Sequence, residues 1–470
     1  MSLARTMPRL MIAGISGGSG KTLVSLGLLL LLRQAGVEVR AFKKGPDYID
    51  AAWLNWASGG PVRNLDTFLM GTDGARSSFV QHGAVAGINL IEANRGLFDG
   101  FDALGTHSSA VLAEALDAPV VLVINATKMT RSAAAVVLGC QKLDPKLSIR
   151  GVILNSVNGH RHEQVLRASI ESICGVPVLG AIPRASVNPV PERHLGLVPP
   201  PEHSGMAQIE RDVLQLVEGK IDLDAVLAIA RSAPPLDEAV VQAPRLPDGH
   251  GLRIGFLKDS AFSFYYSENL EQVERSGAEL VAISALEAQQ LPEDLHALYV
   301  GGGFPETHAE ALAHNQSMLR SLREAADAGM PIYAECGGLI LLSRALFWKG
   351  ARYKMASVFP FDVEVFDTAQ GHGYVELVVD RENPFFPLGT ILRGHEFHYS
   401  RTVPLADYGS TACAVRRGTG CSNGRDAVIT NNVWAGYTHL HALATPEWVQ
   451  GMISAAHKFA SVAVTPGRSL

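Results

Sequence analysis

The spacing of apolar and polar positions changes several times along the chain and predicts two successive α/β units. From residue 8 to about residue 232, short apolar runs alternate with stretches of helical periodicity. This alternation is typical of a parallel sheet that helices cover on both faces. The runs that predict its strands are RLMIAGI, VEVRAF, INLIEA, PVVLVINA and RGVILNSV.

A proline-rich interruption separates the two units. Residues 233–250 hold four prolines and show no sustained period, which is typical of a linker. After it, GLRIGFL, AELVAIS, LHALYVGGG and MPIYAE predict strands of a second α/β domain, and the segment 306–329 predicts helix between them. We therefore expect an N-terminal domain over residues 1–232, a linker over 233–250 and a C-terminal domain over 251–470.

Composition limits the classes of partner. The chain has 470 residues, of which 47% are hydrophobic and 18% charged, enough for two domains with substantial cores. The net charge is −6 and the sequence has no Lys/Arg-rich run of the kind that binds nucleic acid or an anionic membrane. We therefore expect small-molecule partners. The most apolar run, LVSLGLLLLLR at 23–33, is too short to span a bilayer and predicts a buried helix.

Cysteine usage indicates the redox compartment. The five cysteines are scattered without the spacing of metal ligands, which suits a reducing compartment better than a disulfide framework. The cytoplasm is therefore the expected location.

The stretch GISGGSGKT, residues 14–22, joins a predicted strand to a predicted helix and has the composition of a phosphate-binding loop. Backbone N–H groups of such a loop bind phosphate oxygens, Lys21 adds a positive charge, and the Thr22 hydroxyl is placed to reach Mg²⁺. Five residues instead of four separate Gly14 from Gly20, a length also found in P-loop proteins similar to dethiobiotin synthetase. A glycine-rich turn without a ligand is the alternative. The residues expected to bind the nucleotide here are Gly17, Gly18, Ser19, Gly20, Lys21 and Thr22.

Acidic residues follow two further predicted strands. Asp47 lies in FKKGPDYIDAAW just after the second strand, where the carboxyl edge of a parallel sheet faces a ligand crevice. Glu92 ends the strand in INLIEANRGLFDG, and Asp99 follows in a glycine-flanked turn. Carboxylates in these positions are suited to hold Mg²⁺ near a γ-phosphate, and Asp47 also to orient the acceptor. Solvated loop acids are the alternative.

Cys336 lies between a predicted strand and a predicted helix in AECGG, a cysteine version of the nucleophile elbow. Small neighbours permit the strained turn that exposes the reactive atom, and N–H groups at a helix start stabilise a thiolate or an oxyanion. The glycine loop VGGGFPE, 300–306, supplies further N–H groups, and His439 or His441 in GYTHLHAL is the candidate base. A buried thiol that only fills space is the alternative. The combination favours a nucleophile.

Along nearly its whole length the chain resembles the cobyrinic acid a,c-diamide synthases and related tetrapyrrole amidotransferases. The motifs that carry the resemblance occur in the family's order: GISGGSGKT, KKGPDYIDAAW, GLFDG, PERHLGLV, FSFYYSENLE, GGGFPE, AECGGL, GHEFHYS and GYTHLHAL. The resemblance implies an N-terminal P-loop domain with a parallel sheet, similar to dethiobiotin synthetase, that activates a carboxylate with ATP. It also implies a C-terminal class I glutamine amidotransferase domain, again α/β, that releases ammonia from glutamine.

The resemblance further implies roles for individual residues. Cys336 would attack the glutamine amide and His439 would activate it. His441 stands where amidotransferases with a full triad carry glutamate, so the pattern resembles a Cys–His dyad. The other implied assignments are Asp47, Glu92 and Asp99 around ATP–Mg²⁺ and the activated carboxylate, Tyr48 and Ile49 at the acceptor, and Asn155 near adenine.

One segment departs from the family pattern. Where the family typically has Glu-Gly-Val-Met-Gly, this chain has EANRG at residues 92–96. Because Arg binds carboxylates in bidentate fashion, we expect Asn94 and Arg95 to contact the acceptor and to change its identity or the arrangement of its carboxylates. Siroheme and sirohydrochlorin, which carry the same kind of acetate side chains, are the alternatives to cobyrinate.

We therefore expect an amidoligase that uses ATP, Mg²⁺ and L-glutamine to amidate acetate side chains of a modified tetrapyrrole through an acyl phosphate. A homodimer is one assembly that the sequence allows. A hypothesis from another class is a P-loop regulatory ATPase with an inactive glutaminase-like domain, and the intact Cys336 and His439 argue against it. Carboxylation of the dethiobiotin synthetase type leaves half of the chain unexplained.

Overall fold

The chain divides into two compact units, Met1–Gln242 and Ala243–Leu470. A computed structural model describes residues 5–185, 189–190, 192–193, 196–197, 205–237, 245–403 and 410–463. The division falls inside the segment expected to be a linker, part of which lies outside the described residues, so the linker stays a prediction. Half of the motif PERHLGLV, residues 191, 194, 195 and 198, also lies outside them.

The first unit contains a parallel sheet. Its strands are β1 (Arg9–Gly14), β2 (Val39–Lys44), β3 (Arg63–Leu65), β4 (Ile88–Glu92), β5 (Val120–Asn125), β6 (Ile149–Val157) and β7 (Val178–Pro183). Within the described residues these seven strands lie in the order β3-β2-β4-β1-β5-β6-β7, and every neighbouring pair is parallel. A short antiparallel pair follows, formed by β8 (Glu192–Arg193) and β9 (Gly196–Leu197). The five strands predicted from apolar runs are confirmed as β1, β2, β4, β5 and β6.

Helices cover this sheet because its strands are apolar on both faces. Along β1, Leu10 and Ile12 join one buried apolar cluster whereas Met11 and Ala13 join another, as the two-residue period of a strand requires. The predicted buried helix is confirmed as α1. The described helices are α1 (Lys21–Gln34), α2 (Ile49–Ser58), α3 (Gly71–His82), α4 (Ser109–Ala115), α5 (Ser132–Leu143), α6 (His160–Cys174), α7 (Met206–Val217) and α8 (Leu223–Arg231).

The second unit contains a mixed sheet. Its first strands are β10 (Arg253–Leu257), β11 (Glu279–Ile283), β12 (Ala297–Val300) and β13 (Ile332–Glu335), all four as predicted. The later strands are β14 (Ala345–Trp348), β15 (Ala351–Lys354), β16 (Asp362–Val365), β17 (Gly371–Val379), β18 (Ile391–His398), β19 (Ser400–Val403), β20 (Ser410–Arg417), β21 (Arg425–Thr430), β22 (Val433–Gly436) and β23 (His439–Leu440). In the described part of this unit, the main sheet has the order β11-β10-β12-β13-β22-β21-β20-β17-β18-β23, and β15-β14-β16-β19 form a smaller sheet. Pairing is parallel from β11 to β22 and antiparallel beyond it.

The helical stretch predicted after β12 is interrupted. A 3₁₀ turn at Pro305–His308 precedes α10 (Ala309–His314), and α11 (Gln316–Asp327) begins after Asn315. The Asn315 side chain accepts from the Met318 N–H at 3.3 Å and donates to two carbonyl groups outside the helices. A side chain that competes for backbone groups in this way ends one helix and caps the next. The remaining helices are α9 (Ser267–Arg275), α12 (Gly337–Leu342) and α13 (Pro446–Ala463).

Among the helices that the structure describes, none combines the length and the apolar character needed to cross a bilayer.

Two helical glycines provide a matched test of the packing. A Cβ atom on Gly451, in α13, would overlap the carbonyl oxygen of Phe385, whereas Gly139, in α5, has open space at the same position. We expect Gly451→Ala to lower the free energy of unfolding by about 1–3 kcal/mol, because the backbone must shift. Gly139→Ala should raise it by about 0.5–1 kcal/mol through helix propensity. Urea unfolding followed by circular dichroism measures both changes, and equal stability of the two variants would contradict the α13 contact.

Candidate active sites

The predicted phosphate loop forms a tight turn between β1 and α1. Gly18 and Gly20 have left-handed backbone, with φ of 71° and 93°. A Cβ atom on Gly20 would also overlap the side-chain amide of Asn155, so that position needs glycine both for its conformation and for its space. Asn155 itself donates to the carbonyl of Ser19 at 3.1 Å. This contact holds the loop, and the expected contact of Asn155 with adenine stays a prediction.

Lys21 and Thr22 begin α1 and face two different groups. The Lys21 ammonium donates to the Ser16 carbonyl at 3.0 Å, which folds the side chain back over the loop. Burial, and then the nearby charge of Lys43, lower the pKa of Lys21. The Thr22 hydroxyl donates to Glu92 Oε1 at 3.1 Å. The loop therefore carries both its charge and its hydroxyl at the end of the sheet where β4 finishes.

A buried ion cluster lies at the ends of β2 and β4. Lys43 Nζ is 2.6 Å from Asp50 Oδ2 and 2.6 Å from Glu92 Oε1. The Lys43 and Glu92 side chains are 1% and 0% exposed, so the charges interact in a medium that screens them little. Lys43 is the partner of Glu92 in the parallel register of β2 and β4. The strand register therefore brings together two residues that are 49 positions apart.

The charges in this cluster shift one another's pKa values. Burial by itself lowers the pKa of the Lys43 ammonium, but Asp50 and Glu92 raise it overall. Burial acts to raise the pKa of Asp50, yet Lys43 lowers it overall. Burial, followed by the charge of Asp50, raises the pKa of Asp47 to about 7. Asp50 is thus the permanent counter-ion of Lys43, and Asp47 is an acid that changes its charge near neutral pH.

Glu92 offers an oxygen for a cation. Burial raises the pKa of its carboxyl against the opposing effect of Lys43. Its Oε2 atom is buried and has no hydrogen-bond partner among the described residues. A buried oxygen left without a partner costs free energy, so a bound cation would stabilise it. The Thr22 hydroxyl and the Glu92 carboxylate, 3.1 Å apart, are oxygen donors of the kind that Mg²⁺ prefers, so their chemistry fits this ion, and Asp47 stays a predicted ligand.

The predicted acceptor residues lie around the same strand ends. Tyr48 immediately precedes α2 and Ile49 is its first residue, and both are half-buried. Asn94 is half-buried against Gly45, whose Cβ position is 2.8 Å from the Asn94 amide nitrogen. Arg95 is exposed and has a positive φ of 50°. A loop that holds arginine in this uncommon conformation fixes the direction in which the side chain leaves the backbone.

Asp99 closes the loop that contains Arg95. Its Oδ2 atom accepts from the Gly96 N–H at 2.9 Å, and the residue is exposed. The carboxylate therefore stabilises the turn and remains accessible to a ligand at the same time.

In the second unit, Cys336 occupies a strained turn between β13 and α12. Its φ of 48° and ψ of −95° lie outside the regions that L-residues favour. The turn is held by a hydrogen bond of 2.7 Å from the Cys336 N–H to the Gly436 carbonyl, at the end of β22. Strain of this kind persists only where surrounding contacts enforce it, and it is concentrated at functional sites. Burial, and then the charge of Glu306, raise the pKa of the Cys336 thiol, so the thiol needs a base to become a nucleophile.

The predicted glycine loop lies between this turn and the His439 ring. A Cβ atom on Gly302 would be 2.5 Å from His439 Cε1 and 3.4 Å from Nε2. A Cβ atom on Gly337 would be 3.0 Å from the Gly303 nitrogen and 3.3 Å from the Gly302 carbonyl carbon. Only residues without side chains permit such close approach. The Cε1–Nε2 side of the ring therefore faces the loop that packs against the residue following Cys336.

The carboxylate of Glu335 faces the Nδ1 atom of the His439 ring. Glu335 Oε2 is 3.5 Å from His439 Nδ1 and accepts from the Tyr299 hydroxyl at 3.0 Å. Glu335 Oε1 accepts from the Leu440 N–H at 3.0 Å. The side chain is fully buried. One carboxylate therefore contacts both the ring and the backbone immediately after it.

His441, the other candidate base, faces a different carboxylate. Its Nε2 atom is 3.6 Å from Glu268 Oε2, and neither side chain is more than 1% exposed. His395 instead stacks on His439, with ring centroids 4.9 Å apart, and burial followed by the charge of His439 holds the pKa of His395 well below its usual range. This arrangement supports His439 rather than His441 as the base.

Asp426 shapes the segment that leads to His439. The buried carboxylate accepts from the N–H groups of Tyr437 and Thr438 at 3.1 and 3.2 Å and from the Thr438 hydroxyl at 2.6 Å. Charged acceptors make strong hydrogen bonds in a buried setting. The backbone just before the histidine is thus held by one acid and the backbone just after it by another.

The structure brings the predicted residues into two groups and adds others that the sequence did not single out. The first group contains Thr22, Asp47 and Glu92 with the loop. The second contains Cys336 and His439, because Gly337 and the His439 ring both lie against the glycine loop. The residues without a predicted role are Lys43, Asp50, Glu335 and Asp426. Lys43 and Asp50 lie within a motif that was predicted to be functional, and Glu335 is adjacent to the predicted nucleophile. Nothing in the sequence around Asp426 indicates a functional role.

Comparison with known families matches both halves of the chain. Residues 10–198 match the family described as the CobQ/CobB/MinD/ParA nucleotide binding domain. Residues 253–447 match the family described as the CobB/CobQ-like glutamine amidotransferase domain. The α/β fold class and the order of the two domain types are thereby confirmed.

Several curated relatives are similar over almost the whole chain. A cobyrinate a,c-diamide synthase of Magnetococcus marinus is 42% identical, over 94% of this chain and 96% of the relative. Proteins with the same name from Archaeoglobus fulgidus and Dehalococcoides mccartyi are 36% and 39% identical, each over 97% of this chain and 99% of the relative. The chain belongs to the cobyrinate a,c-diamide synthase family and is an amidoligase that uses glutamine.

Proposed function

We propose that the protein amidates acetate side chains of cobyrinate, at the a and c positions, with ATP and glutamine. The observation that carries the proposal is the presence of two candidate sites in one chain: a phosphate loop beside the buried Glu92, and a thiol on a strained turn whose neighbour Gly337 lies against the same glycine loop as the His439 ring. The names of the relatives, which match nearly the full length, support cobyrinate as the acceptor. The cytoplasm remains the proposed location.

The first site is suited to activate a carboxylate. A carboxylate resists attack by ammonia because its leaving group would be oxide, and phosphorylation supplies a better one. The loop N–H groups and Lys21 bind the phosphates of ATP, while Lys43 neutralises charge beside Glu92. Thr22, Glu92 and Asp47 would hold Mg²⁺, which when bound draws negative charge from the phosphate oxygens. Asp99 and the start of α2 orient the acceptor, and the product of this step is an acyl phosphate.

The second site is suited to release ammonia. His439 Nε2 takes the proton from the Cys336 thiol as sulfur attacks the glutamine amide carbon. The N–H groups of the glycine loop and of the α12 start stabilise the oxyanion. The same proton passes to the leaving nitrogen, the C–N bond breaks, and ammonia departs. Water then hydrolyses the thioester to glutamate, restoring the thiol.

A different tetrapyrrole is the second candidate acceptor. The exposed Arg95 and the half-buried Asn94 lie between Glu92 and Asp99, where the family typically has apolar residues. A guanidinium beside the reacting carboxylate favours an acceptor with an additional carboxylate in reach. Siroheme and sirohydrochlorin have acetate side chains that suit this arrangement.

A regulatory ATPase with an inactive glutaminase-like unit is the alternative from another class. The left-handed turn at Cys336 argues against it, because backbone strain brings no advantage to a thiol that only fills space. Glutamine hydrolysis, measured with and without ATP and acceptor, distinguishes the two functions.

Replacing the Cys336 thiol tests whether it is needed only to release ammonia from glutamine. We expect Cys336→Ser to lower glutamine-dependent amidation by about 10³-fold or more and to change ammonia-dependent amidation by less than about 2-fold, since only the nitrogen source depends on the sulfur. Product analysis by mass spectrometry with either nitrogen source measures both rates. Cys174→Ser, in the first unit, is the matched control and should leave both rates intact. Retention of glutamine use by Cys336→Ser would refute the nucleophile.

Replacing neighbouring acids tests the charge distribution. Asp47 has a folded-state pKa raised to about 7, so the cost of ionising it is absent below about pH 4 and grows until about pH 7. Asp47→Asn should therefore be more stable than the wild type at about pH 8, with the advantage vanishing towards about pH 4, while carboxylate activation falls. Urea unfolding across this pH range measures the difference.

Asp50→Asn is the matched contrast. The pKa of Asp50 is lowered by Lys43, so the carboxylate contributes stability above its unfolded-state pKa of about 3.9 and loses it as pH falls through the lower folded-state value. The Asp50→Asn variant should thus be less stable than the wild type at neutral pH. Stability shifts of the same sign in both variants would contradict the proposed electrostatics.

The acceptor is tested by restoring the family's apolar pattern. Asn94→Val combined with Arg95→Met should change the ratio of kcat/KM values among cobyrinate, sirohydrochlorin and siroheme by about 10-fold or more, the effect of one charged hydrogen bond. Glutamine hydrolysis should not change, because Cys336 and His439 are untouched. If the ranking of acceptors stays the same, this segment does not determine specificity and the proposed alternative acceptors lose their support.

A further inference from the structure

We infer that Glu335, the residue before the nucleophile, positions and charge-stabilises the catalytic base His439. The inference rests on the proposed glutaminase function and deepens it. It replaces the Cys–His dyad expected from the sequence with a three-residue arrangement in which the acid comes from the end of β13 rather than from the position two residues after the histidine, where His441 stands.

The first argument for this role is the orientation of the His439 ring. His439 turns its Cε1–Nε2 side to Gly302 and its Nδ1 atom to Glu335 Oε2, 3.5 Å away. An N–H group at Nδ1 directed to a carboxylate leaves Nε2 as the unprotonated atom that accepts the thiol proton. The separation is longer than a formed hydrogen bond, and such bonds at catalytic bases commonly shorten when substrate binds.

The second argument is that other hydrogen bonds hold the Glu335 carboxylate in place. The Leu440 N–H and the Tyr299 hydroxyl each donate to Glu335 at 3.0 Å, so the acid is held in place independently of the ring. Burial, and then the charge of Glu335, raise the pKa of Tyr299, which therefore remains a donor. A carboxylate fixed by two other donors is an orienting group rather than a group oriented by the histidine.

The third argument is that the Glu335 carboxylate compensates the positive charge that forms on the His439 ring. When Cys336 gives its proton to Nε2, the ring becomes an imidazolium in a buried site, and an uncompensated buried cation is costly. The fully buried Glu335 carboxylate supplies the compensating charge at the far edge of the ring. The proton on Nδ1 stays on the histidine throughout, and the proton on Nε2 passes to the leaving nitrogen, so Glu335 is unchanged at the end of the cycle.

The chain offers a control for burial alone. Glu268 is another buried carboxylate close to a histidine, His441 at 3.6 Å, in the same unit. If Glu335 only filled space or balanced charge for folding, replacing either acid by its amide would have comparable effects on glutamine hydrolysis.

The test compares Glu335→Gln and Glu268→Gln in glutamine hydrolysis by the full-length enzyme with ATP and cobyrinate. We expect Glu335→Gln to lower kcat by about 30-fold or more, with KM for glutamine changed by less than about 3-fold, because the defect lies in proton transfer and not in binding. Glu268→Gln should stay within about 3-fold of the wild type in kcat. A Glu335→Gln enzyme within about 3-fold of wild-type kcat would overturn the inference.

A double-mutant cycle separates positioning from stability. In the His439→Asn background, Glu335→Gln should lower the residual rate by less than about 3-fold, because the residue acts through the ring that is already missing. The rate compared in both backgrounds is the rate at which a chloroketone analogue of glutamine alkylates Cys336, quantified by intact-protein mass spectrometry. Equal losses in both backgrounds would show a structural role and overturn the inference. A His439→Asn enzyme that hydrolyses glutamine normally would instead refute the proposed base.

A second variant covers a failure to fold. Glu335→Asp keeps the charge but withdraws it from the ring by one methylene, and should lower kcat by about 5-fold or more at unchanged KM for glutamine. Wild-type kcat in a folded Glu335→Asp enzyme would overturn the inference even if Glu335→Gln could not be purified.

Discussion

Parallel pairing is the constraint on which both sites depend. In a parallel sheet every strand ends at the same edge, so residues that follow strands far apart in sequence meet there. In the first unit this edge receives the phosphate loop after β1, Lys43 near the end of β2 and Glu92 at the end of β4. In the second unit, β13 and β22 pair in parallel, and their ends present Cys336 and the segment leading to His439.

The second constraint is the cost of burying charge. Lys43 is almost fully enclosed, and it is compatible with the fold only because Asp50 and Glu92 lie at ion-pair distance. Glu335 and Asp426 are compensated differently, by hydrogen bonds from backbone N–H groups and hydroxyls. Apolar residues of similar volume would satisfy the same space at lower cost. Buried charges are concentrated at functional sites, so their presence here favours a role in the proposed chemistry.

Glycines allow the close approaches that complete these sites. Gly20 permits Asn155 to reach the backbone of the phosphate loop, and Gly302 permits the His439 ring to lie against the glycine loop. At both positions a single methyl group would move a functional side chain. Substitutions there are therefore expected to affect chemistry through geometry even though glycine takes no part in it.

The sequence by itself predicted many of the elements and the candidate reactive groups, because these depend on neighbours along the chain. Apolar runs predicted β1 and β13, glycine spacing predicted the phosphate loop, and small residues around Cys336 predicted its turn. The interrupted helix at Asn315 was missed, since its side chain bonds to carbonyl groups about 30 residues away. Only the tertiary structure decided which acids accompany the reactive groups. Lys43 meets Glu92 across 49 positions and Glu335 meets Leu440 across 105. The contact of Glu335 with the ring supports His439, the base that the family resemblance had already implied. Such pairings follow from strand order and register, which bring distant residues together without leaving a local pattern in the sequence.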